Sequence, residues 1–153
     1  MPTALADILD DRLVALQLRA RKRDEVVAEL VERLAKTGRL REPERFREEV
    51  LQRETASSTF AENGIAFPHA RTDLVKEIAL VVGRSRAGIP WNAAQERAQI
   101  IFLLAVPEQA VNDSLIVVGT LARIIRDETC RQSLLSAATP QDFVSLLREA
   151  ALL

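Results

Sequence analysis

The amino-acid sequence predicts an α/β layered sandwich, a mixed β-sheet of about five strands with helices packed on both faces. Helical and extended patterns alternate along the chain, and the strongest extended run, residues 99–106, is continuously apolar. Such a run is typical of a strand buried on both faces. The 153 residues suit one domain, because domains usually hold roughly 100–200 residues. We therefore expect residues 1–153 to form a single domain.

The first third of the chain holds one predicted strand and two predicted helices. The apolar run of residues 13–18 indicates the strand. Residues 23–36 carry apolar side chains on one stripe and are followed by Gly38, which predicts a helix and its end. Pro43 begins a second helix that reaches about Glu54, because proline is favoured in the first helical turn.

The remaining elements follow from composition and spacing. Residues 55–72 are rich in Ser, Thr, Asn and Gly and predict an ordered loop with a short extended piece at 64–67. Residues 77–84 are rich in β-branched side chains and indicate a strand, and 88–90 predict a turn next to another short strand. Apolar residues recur at helical spacing after Asp113, again over 128–137, and after the Thr139-Pro140 start signature.

Composition excludes several classes of function. The 21 basic and 22 acidic residues give a net charge of −1, and residues 1–54 alone hold twelve of each. No basic tail remains to bind a phosphate backbone, so we expect no nucleic-acid partner. The single Cys130 and single His69 cannot build a Cys/His zinc site or an internal disulfide. Apolar runs fall short of the roughly 20 residues of a transmembrane helix, and no signal peptide is evident. A cytoplasmic, not membrane-embedded protein is expected.

The segment from Arg53 to Ala70 carries the most chemical information. A polar, turn-forming stretch leads into a short apolar strand that delivers Pro68 and His69 at its end. Proline fixes its own φ and restricts the preceding residue, so the backbone before the imidazole is stiff. Hydroxyl groups and an arginine upstream are donors of the kind that hold phosphate oxygens. The pattern predicts an imidazole held beside an oxyanion site.

The segment R-E-x-x-x-S-T-x-x-x-N-G-I-A-x-P-H resembles the active-site signature of a known family, the enzyme IIA domains of the mannitol/fructose/nitrogen-regulatory type. These domains belong to the bacterial phosphoenolpyruvate phosphotransferase system. The resemblance extends over nearly the whole chain, including the Gly-Ile-Pro-Trp turn at residues 88–91, the apolar strand 99–107 and the helix around Arg123.

The resemblance implies a phosphoryl carrier rather than a free-standing enzyme. His69 would take a phosphoryl group from an HPr-type phosphocarrier protein and pass it to an enzyme IIB, or stay phosphorylated as a signal to a regulated transporter or kinase. Arg53 matches the family's arginine and would stabilise charge. Ser58 and Thr59 would bind phosphate oxygens, and Asn63 would orient the loop or the acceptor surface. No metal or organic cofactor is implied.

One departure from the family pattern bears on whether the protein serves sugar transport or regulation. Sugar-transport members carry a second histidine where this chain has Ser114. Serine donates a hydrogen bond to phosphate but cannot carry positive charge. This difference, with the free-standing form, favours a nitrogen-type regulatory branch. A sugar-specific fructose or mannitol component and a non-catalytic binding module controlled by phosphorylation remain alternatives, and a homodimer stays open.

Structural roles compete with these assignments. Arg53 is also expected as a cation at a helix end, where the dipole favours it. Ser58 and Thr59 suit a turn or cap, and Ser114 suits a helix cap. Trp91 is expected to serve packing, and Cys130 to be a small, half-buried apolar residue.

Overall fold

The computed structural model describes residues 4–153. These residues form six strands and six α-helices, with short 3₁₀ turns at Asp11–Leu13 and Glu108–Ala110. The strands are β1 Val14–Ala15, β2 Phe60–Ala61, β3 Ile65–Ala66, β4 His69–Thr72, β5 Ala79–Pro90 and β6 Arg97–Pro107. The helices are α1 Leu5–Ile8, α2 Arg23–Ala35, α3 Pro43–Ala56, α4 Val111–Arg126, α5 Glu128–Ser136 and α6 Pro140–Ala151.

The six strands form one mixed sheet in the order β1-β5-β6-β3-β2, and β4 continues the line of β3 along β6. The two long strands, β5 and β6, run antiparallel at the centre, whereas β1 is parallel to β5. Strands β3 and β4 are both parallel to β6 in the same register. The predicted mixed α/β sheet is confirmed.

Helices cover both faces of the sheet, as predicted. Successive β6 residues point to opposite sides, so Phe102 joins one apolar core and Ile101 joins the other. The first core contains residues of α1, α4, α5 and α6, and the second contains residues of α2 and α3. The continuous apolar run of β6 is therefore buried on both sides, which is the arrangement that its sequence predicted.

Several element boundaries differ from those predicted. Strand β1 covers only two residues, and the backbone N–H of Leu18 bonds instead to the carbonyl of Arg84. The turn expected at residues 88–90 is wrong, because β5 continues to Pro90 through an irregularity between Arg84 and Ile89. Gly88 permits this with φ +83°, where a Cβ would lie 2.7 Å from that of Arg97.

The expectation of a loop across residues 55–72 is also wrong in part. Three short strands, β2, β3 and β4, lie within it, and only the extended piece at 64–67 was foreseen. Strands of two residues offer too little alternation to be recognised in a sequence. The helix predictions are confirmed, including the Thr139 cap, whose hydroxyl accepts a hydrogen bond from the backbone N–H of Asp142 at 3.0 Å.

No helix within residues 4–153 is both long enough and apolar enough to cross a bilayer.

Truncation of Phe102 should destabilise the fold strongly. Its ring is fully buried and stacks on Phe67 with a centroid separation of 5.7 Å. Phe102→Ala should lower the free energy of unfolding by about 3–5 kcal/mol, because both contacts and buried area are lost. Phe102→Leu should cost about 1–1.5 kcal/mol. Urea denaturation measures both, and a loss below about 1 kcal/mol for the alanine variant would contradict this role for the ring.

Candidate functional site

His69 is the first residue of β4 and lies opposite Leu104 of β6. Within the described chain, β4 has a strand partner on one side only, so the histidine stands at an edge of the sheet. Ala70 belongs to the core beneath α2 and α3, and the Thr72 hydroxyl donates to Glu49 of α3 at 2.8 Å. Because side chains alternate along a strand, His69 faces the other side, where α4 lies.

The imidazole of His69 is held by a single hydrogen bond. Its Nδ1 lies 2.8 Å from the carbonyl oxygen of Phe67. A carbonyl only accepts, so Nδ1 carries the hydrogen, and the neutral ring has its free lone pair on Nε2. Among residues 4–153 no group bonds to Nε2, yet every buried side-chain nitrogen and oxygen has a partner. Nε2 is therefore not fully buried, and its lone pair has no protein partner in this part of the chain.

The backbone around the imidazole is fixed on both sides. The N–H of Phe67 donates to the carbonyl of Thr59 at 3.3 Å, and the carbonyl of Pro68 accepts from the N–H of Leu104 at 3.0 Å. The Phe67 ring stacks on Phe102. These contacts set the direction of the Phe67 carbonyl, which in turn sets the orientation of the ring.

Arg53 and Ser58 lie at the histidine end of the β2–β3 hairpin. The pairing of Thr59 with Phe67 continues toward Ser58 and Ser57, which brings that loop alongside Pro68 and His69. The exposed Arg53 donates to the carbonyl of Ser57 at 3.0 Å and forms no ion pair in the part of the chain that is described. The Ser58 Oγ accepts from the N–H of Phe60 at 3.2 Å, which leaves its hydroxyl proton free to donate.

Thr59 is engaged by a buried carboxylate. Glu54 is 2 % exposed, and it accepts from the Thr59 hydroxyl at 2.6 Å and from the Thr59 N–H at 2.7 Å. Trp91 Nε1 donates to the same carboxylate at 3.2 Å. The hydroxyl proton of Thr59 is thus committed to Glu54 rather than directed at an incoming anion.

Glu54 is not among the site residues that the sequence predicts, and Trp91 is predicted only to pack. One signal was available: Phe46, Val50 and Glu54 recur every four residues along α3, and all three are buried. A carboxylate on the inner face of a helix needs donors there.

The structure places Asn63 away from the imidazole. Asn63 and Gly64 have φ of +68° and +73° and form the far turn of the β2–β3 hairpin. From Ile65, which follows this turn, to His69 the chain advances four residues along β6, which corresponds to about 13 Å. Asparagine is among the few residues that adopt this backbone conformation readily.

Ser114 lies in the first turn of α4, and its hydroxyl donates to the carbonyl of Val111 at 2.7 Å. Gly119 and Ala122 of the same helix line a groove with Ile65 and Phe67. Only three residues separate helix α4 from β6, and β6 ends at Pro107, which pairs with Thr72 of β4. Ser114 is therefore near the same end of the sheet as β4.

Two large apolar side chains next to Ser114 are open to solvent. Leu115 is 66 % exposed and Ile116 is 54 % exposed. They follow Ser114 on the first turns of α4, near the same end of the sheet as β4. Exposed apolar groups around a polar centre are typical of a protein-binding surface.

The site offers nucleophilic and anion-binding groups but no metal-binding cluster. Within residues 4–153, no three His, Cys, Asp or Glu side chains are grouped so as to hold a metal ion. Cys130 is half-buried, and burial, followed by the nearby Asp127, raises the pKa of its thiol. The thiol is therefore not an activated nucleophile.

Comparison with known proteins gives a family match along almost all of the chain. Residues 7–150 match the family described as phosphoenolpyruvate-dependent sugar phosphotransferase system, EIIA 2. A fructose-specific EIIA component of Haloferax volcanii is 27% identical over 96% of this chain and 96% of its own length. A fructose-specific EIIABC component of Bacillus subtilis is 29% identical over 95% of this chain, which spans only 23% of that relative. For the 2-O-alpha-mannosyl-D-glycerate-specific EIIABC component of Escherichia coli, the identity is 31% over 88% of this chain and 21% of that relative.

Solved structures share the fold. Nitrogen regulatory protein IIA-Ntr from Neisseria meningitidis superimposes with a TM-score of 0.85 at 24% identity, covering 94% of this chain and 98% of its own. IIA mannitol from Escherichia coli gives a TM-score of 0.78 at 23% identity, covering 91% and 98%. These similarities confirm the predicted α/β architecture.

Replacement of the buried carboxylate should loosen the loop that carries Ser58. In Glu54→Gln the amide NH₂ can take the Oε1 position, where the Thr59 hydroxyl can accept from it, and the amide oxygen can keep the N–H donors of Thr59 and Trp91. The free energy of unfolding should fall by about 1–3 kcal/mol, because hydrogen bonds to a charged group contribute more than hydrogen bonds between neutral groups. The matched control, Glu48→Gln, lies on the exposed side of the same helix and should change stability by less than about 0.5 kcal/mol. Equal stability of the two variants in urea denaturation would contradict this role for Glu54.

Proposed function

The chain belongs to the EIIA 2 family of the phosphoenolpyruvate-dependent sugar phosphotransferase system, and from that premise we propose that His69 carries the phosphoryl group. The observation that supports this most directly is the 2.8 Å contact between His69 Nδ1 and the Phe67 carbonyl. It leaves the lone pair on Nε2, the ring atom without a protein partner in the described chain. Proteins of this family are phosphoryl carriers, so the nucleophile is the residue to be identified.

The transfer step needs no proton to be gained or lost. The Nε2 lone pair of His69 forms a bond to phosphorus while the donor's nitrogen–phosphorus bond breaks and returns its electron pair to the donor imidazole. The phosphorylated ring keeps its hydrogen on Nδ1, and the Phe67 carbonyl continues to accept it. Because that carbonyl carries partial negative charge, it also stabilises the positive charge that develops on the ring.

Arg53 is proposed to balance the negative charge of the phosphoryl group. Phosphoryl transfer depends chiefly on positioning and on charge stabilisation. The Arg53 guanidinium is exposed, and within the described residues its hydrogen bond is to the carbonyl of Ser57, at the start of the loop that leads to β2. A guanidinium presents several donors in a fixed plane that matches phosphate oxygens.

Ser58 and Ser114 are proposed to donate to phosphate oxygens, with smaller effects. The Ser58 proton is free, whereas the Ser114 proton is shared with the Val111 carbonyl until a better acceptor arrives. Replacing a hydrogen bond to a neutral acceptor by one to a charged phosphate oxygen gives about 0.5–1.5 kcal/mol, because bonds to charged groups contribute more. Thr59 is proposed to act indirectly, by joining the loop to Glu54, and Asn63 by forming the hairpin turn.

The phosphoryl donor is proposed to be an HPr-type phosphocarrier that docks over His69. Leu115 and Ile116 provide an exposed apolar surface near the same end of the sheet as β4, as expected where a protein partner binds. The onward acceptor is proposed to be an enzyme IIB. Mannitol IIA of Escherichia coli, which has the same fold at a TM-score of 0.79, has been solved in complex with phosphorylated IIB.

Regulation and sugar transport are the two candidate roles of this protein in the phosphotransferase system. The replacement of the family's second histidine by Ser114 favours a nitrogen-type regulatory role, in which the phosphorylation state controls binding to a partner. The fructose-specific EIIA component of Haloferax volcanii, alike over 96% of both chains, favours sugar transport as the alternative. A non-catalytic module differs from both, because it would accept no phosphoryl group.

His69→Ala should abolish phosphorylation. The protein is incubated with phosphoenolpyruvate, enzyme I and an HPr-type carrier, and intact-mass spectrometry should show an acid-labile gain of one phosphate on the wild-type chain. The alanine variant should show none, because the nucleophile is missing. Adding a fructose-type enzyme IIB then separates the branches: rapid loss of the phosphate indicates sugar transport, and retention indicates signalling. An equal mass gain in His69→Ala would contradict the assignment.

Arg53→Gln should slow phosphorylation more than Ser114→Ala. Removal of the cation should lower the rate roughly 10²-fold, as for other groups that stabilise transition-state charge. Loss of the serine hydroxyl should lower the rate about two- to tenfold, the equivalent of one exchanged hydrogen bond. Quenched-flow phosphorylation measures both variants, and Arg47→Gln on the same helix as Arg53 is the matched control. A larger effect for Ser114→Ala would reverse this ranking.

A further inference from the structure

A second cavity lies at the end of the sheet opposite to His69. Its volume is about 770 Å³, and four arginines contribute to its lining, Arg21, Arg84, Arg86 and Arg97. On β5, Leu80 pairs with the residue of β6 that faces His69, whereas Arg84 pairs with Ile100, four residues further along. The cavity also lies on the β1 side of the sheet, away from the edge that β4 forms. It is therefore separate from the site of His69.

Arg84 is a buried cation that no carboxylate neutralises. It is 4 % exposed, and its Nε donates to the carbonyl of Leu16 at 3.3 Å. Its Nη1 donates to the carbonyls of Leu134 and Ala137 at 2.9 and 2.8 Å. These two carbonyls lie at the C-terminal end of α5, where partial negative charge favours a cation. The contacts explain how Arg84 is held in place, but they do not supply an anion.

One guanidinium nitrogen of Arg84 is left over. Nη2 has no protein partner within residues 4–153, and every buried side-chain nitrogen there is paired, so Nη2 must reach solvent. The cavity is the space that Arg84 lines. Burial, and after it the charge of Arg86, lowers the pKa of Arg84, as expected for a cation in need of an anion.

The other three arginines are also without an acidic partner. No ion pair in the described structure includes Arg21, Arg86 or Arg97. Arg97 is nevertheless positioned, because its Nη1 donates to the carbonyl of Gly88 at 3.2 Å. A carboxylate does lie beyond one rim: Glu29 accepts from the backbone N–H groups of Arg19 and Ala20 and is thereby occupied.

The rest of the cavity wall is apolar. Leu16, Leu18, Ile89 and Pro90 line it together with the arginines, and neither Asp nor Glu does. The volume falls in the range of about 300–1,000 Å³ that is usual for small-molecule sites. A concave site of this size, without aromatic side chains, fits a small ligand better than a nucleic-acid strand.

We propose that this arginine cavity binds a small organic phosphate with at least two negative charges, such as a phosphate ester or diphosphate of nucleotide size. Guanidinium groups match phosphate oxygens in pairs, and four of them exceed what one carboxylate would require. The phosphate contacts Arg84 at the base and Arg86 and Arg97 nearer the rim. The organic part of the ligand lies against Leu16 and Leu18.

Isothermal titration calorimetry of the full chain tests the proposal at physiological salt, with inorganic pyrophosphate and magnesium-free ATP as probes. Both should bind, and ATP should bind more tightly because its organic part reaches the apolar wall. The double variant Arg86→Gln/Arg97→Gln should lower the affinity for both at least tenfold, since two guanidinium groups that form charge-assisted hydrogen bonds with the phosphate are removed. Arg84 is left intact because its contacts with α5 support the fold. Circular dichroism confirms that the double variant is folded.

Three controls make the outcome decisive. Arg148→Gln, on the exposed side of α6, should bind as the wild type does. His69→Ala and Arg53→Gln should also bind normally, because the cavity is separate from the phosphoryl site. The proposal is overturned if neither probe binds at millimolar concentration, if Arg148→Gln loses as much affinity as the double variant, or if Arg53→Gln abolishes binding. Tighter binding of citrate than of pyrophosphate would overturn the preference for phosphate.

Discussion

The hydrogen bond between His69 Nδ1 and the Phe67 carbonyl is the contact on which the proposed chemistry depends. Without it, either ring nitrogen would carry the hydrogen, and the ring would rotate. The carbonyl is aimed correctly only because its own residue is held on every side, by Thr59 through the backbone and by Phe102 through ring stacking. The apolar core that contains Phe67 and Phe102 thus acts on the imidazole through a residue only two positions away in the chain. The imidazole can be reached by a partner because it lies at a strand edge, and its orientation is fixed because the sheet behind it is well packed.

The buried carboxylate of Glu54 connects that histidine to the rest of the candidate site. Arg53, its neighbour on α3, points outward to the loop, whereas Glu54 points inward and holds the same loop through Thr59. Trp91 ties the carboxylate to the turn between β5 and β6. Helix, loop and sheet therefore meet at one side chain. The position of the loop that carries Ser58 therefore depends on the hydrogen bonds of Glu54 with Thr59 and Trp91.

The sequence predicted most of this site because the Arg53–His69 segment is continuous in the chain. The helices could also be predicted from the sequence, since caps such as Thr139 and regular apolar spacing are local signals. The two-residue strands and the irregular course of β5 around Gly88 could not be predicted, because they depend on partners far away in the sequence. The arginine cavity is the extreme case. The charges of residues 1–54 balance, and nothing local indicates that Arg21 will meet Arg84, Arg86 and Arg97; only the register of β1, β5 and β6 brings them together.

A single open nitrogen also constrains the order of events at His69. In the proposed transfer, the phosphoryl group enters and leaves through the same atom, Nε2 of His69. A donor and an acceptor protein therefore cannot occupy the site together and must visit it in turn. The kinetics of such a carrier are ping-pong, and an excess of unphosphorylated donor competes with the acceptor for the phosphorylated protein. The rate at which phosphoryl groups pass through this protein then depends on the ratio of the concentrations of its two partners as much as on the reactivity of its imidazole.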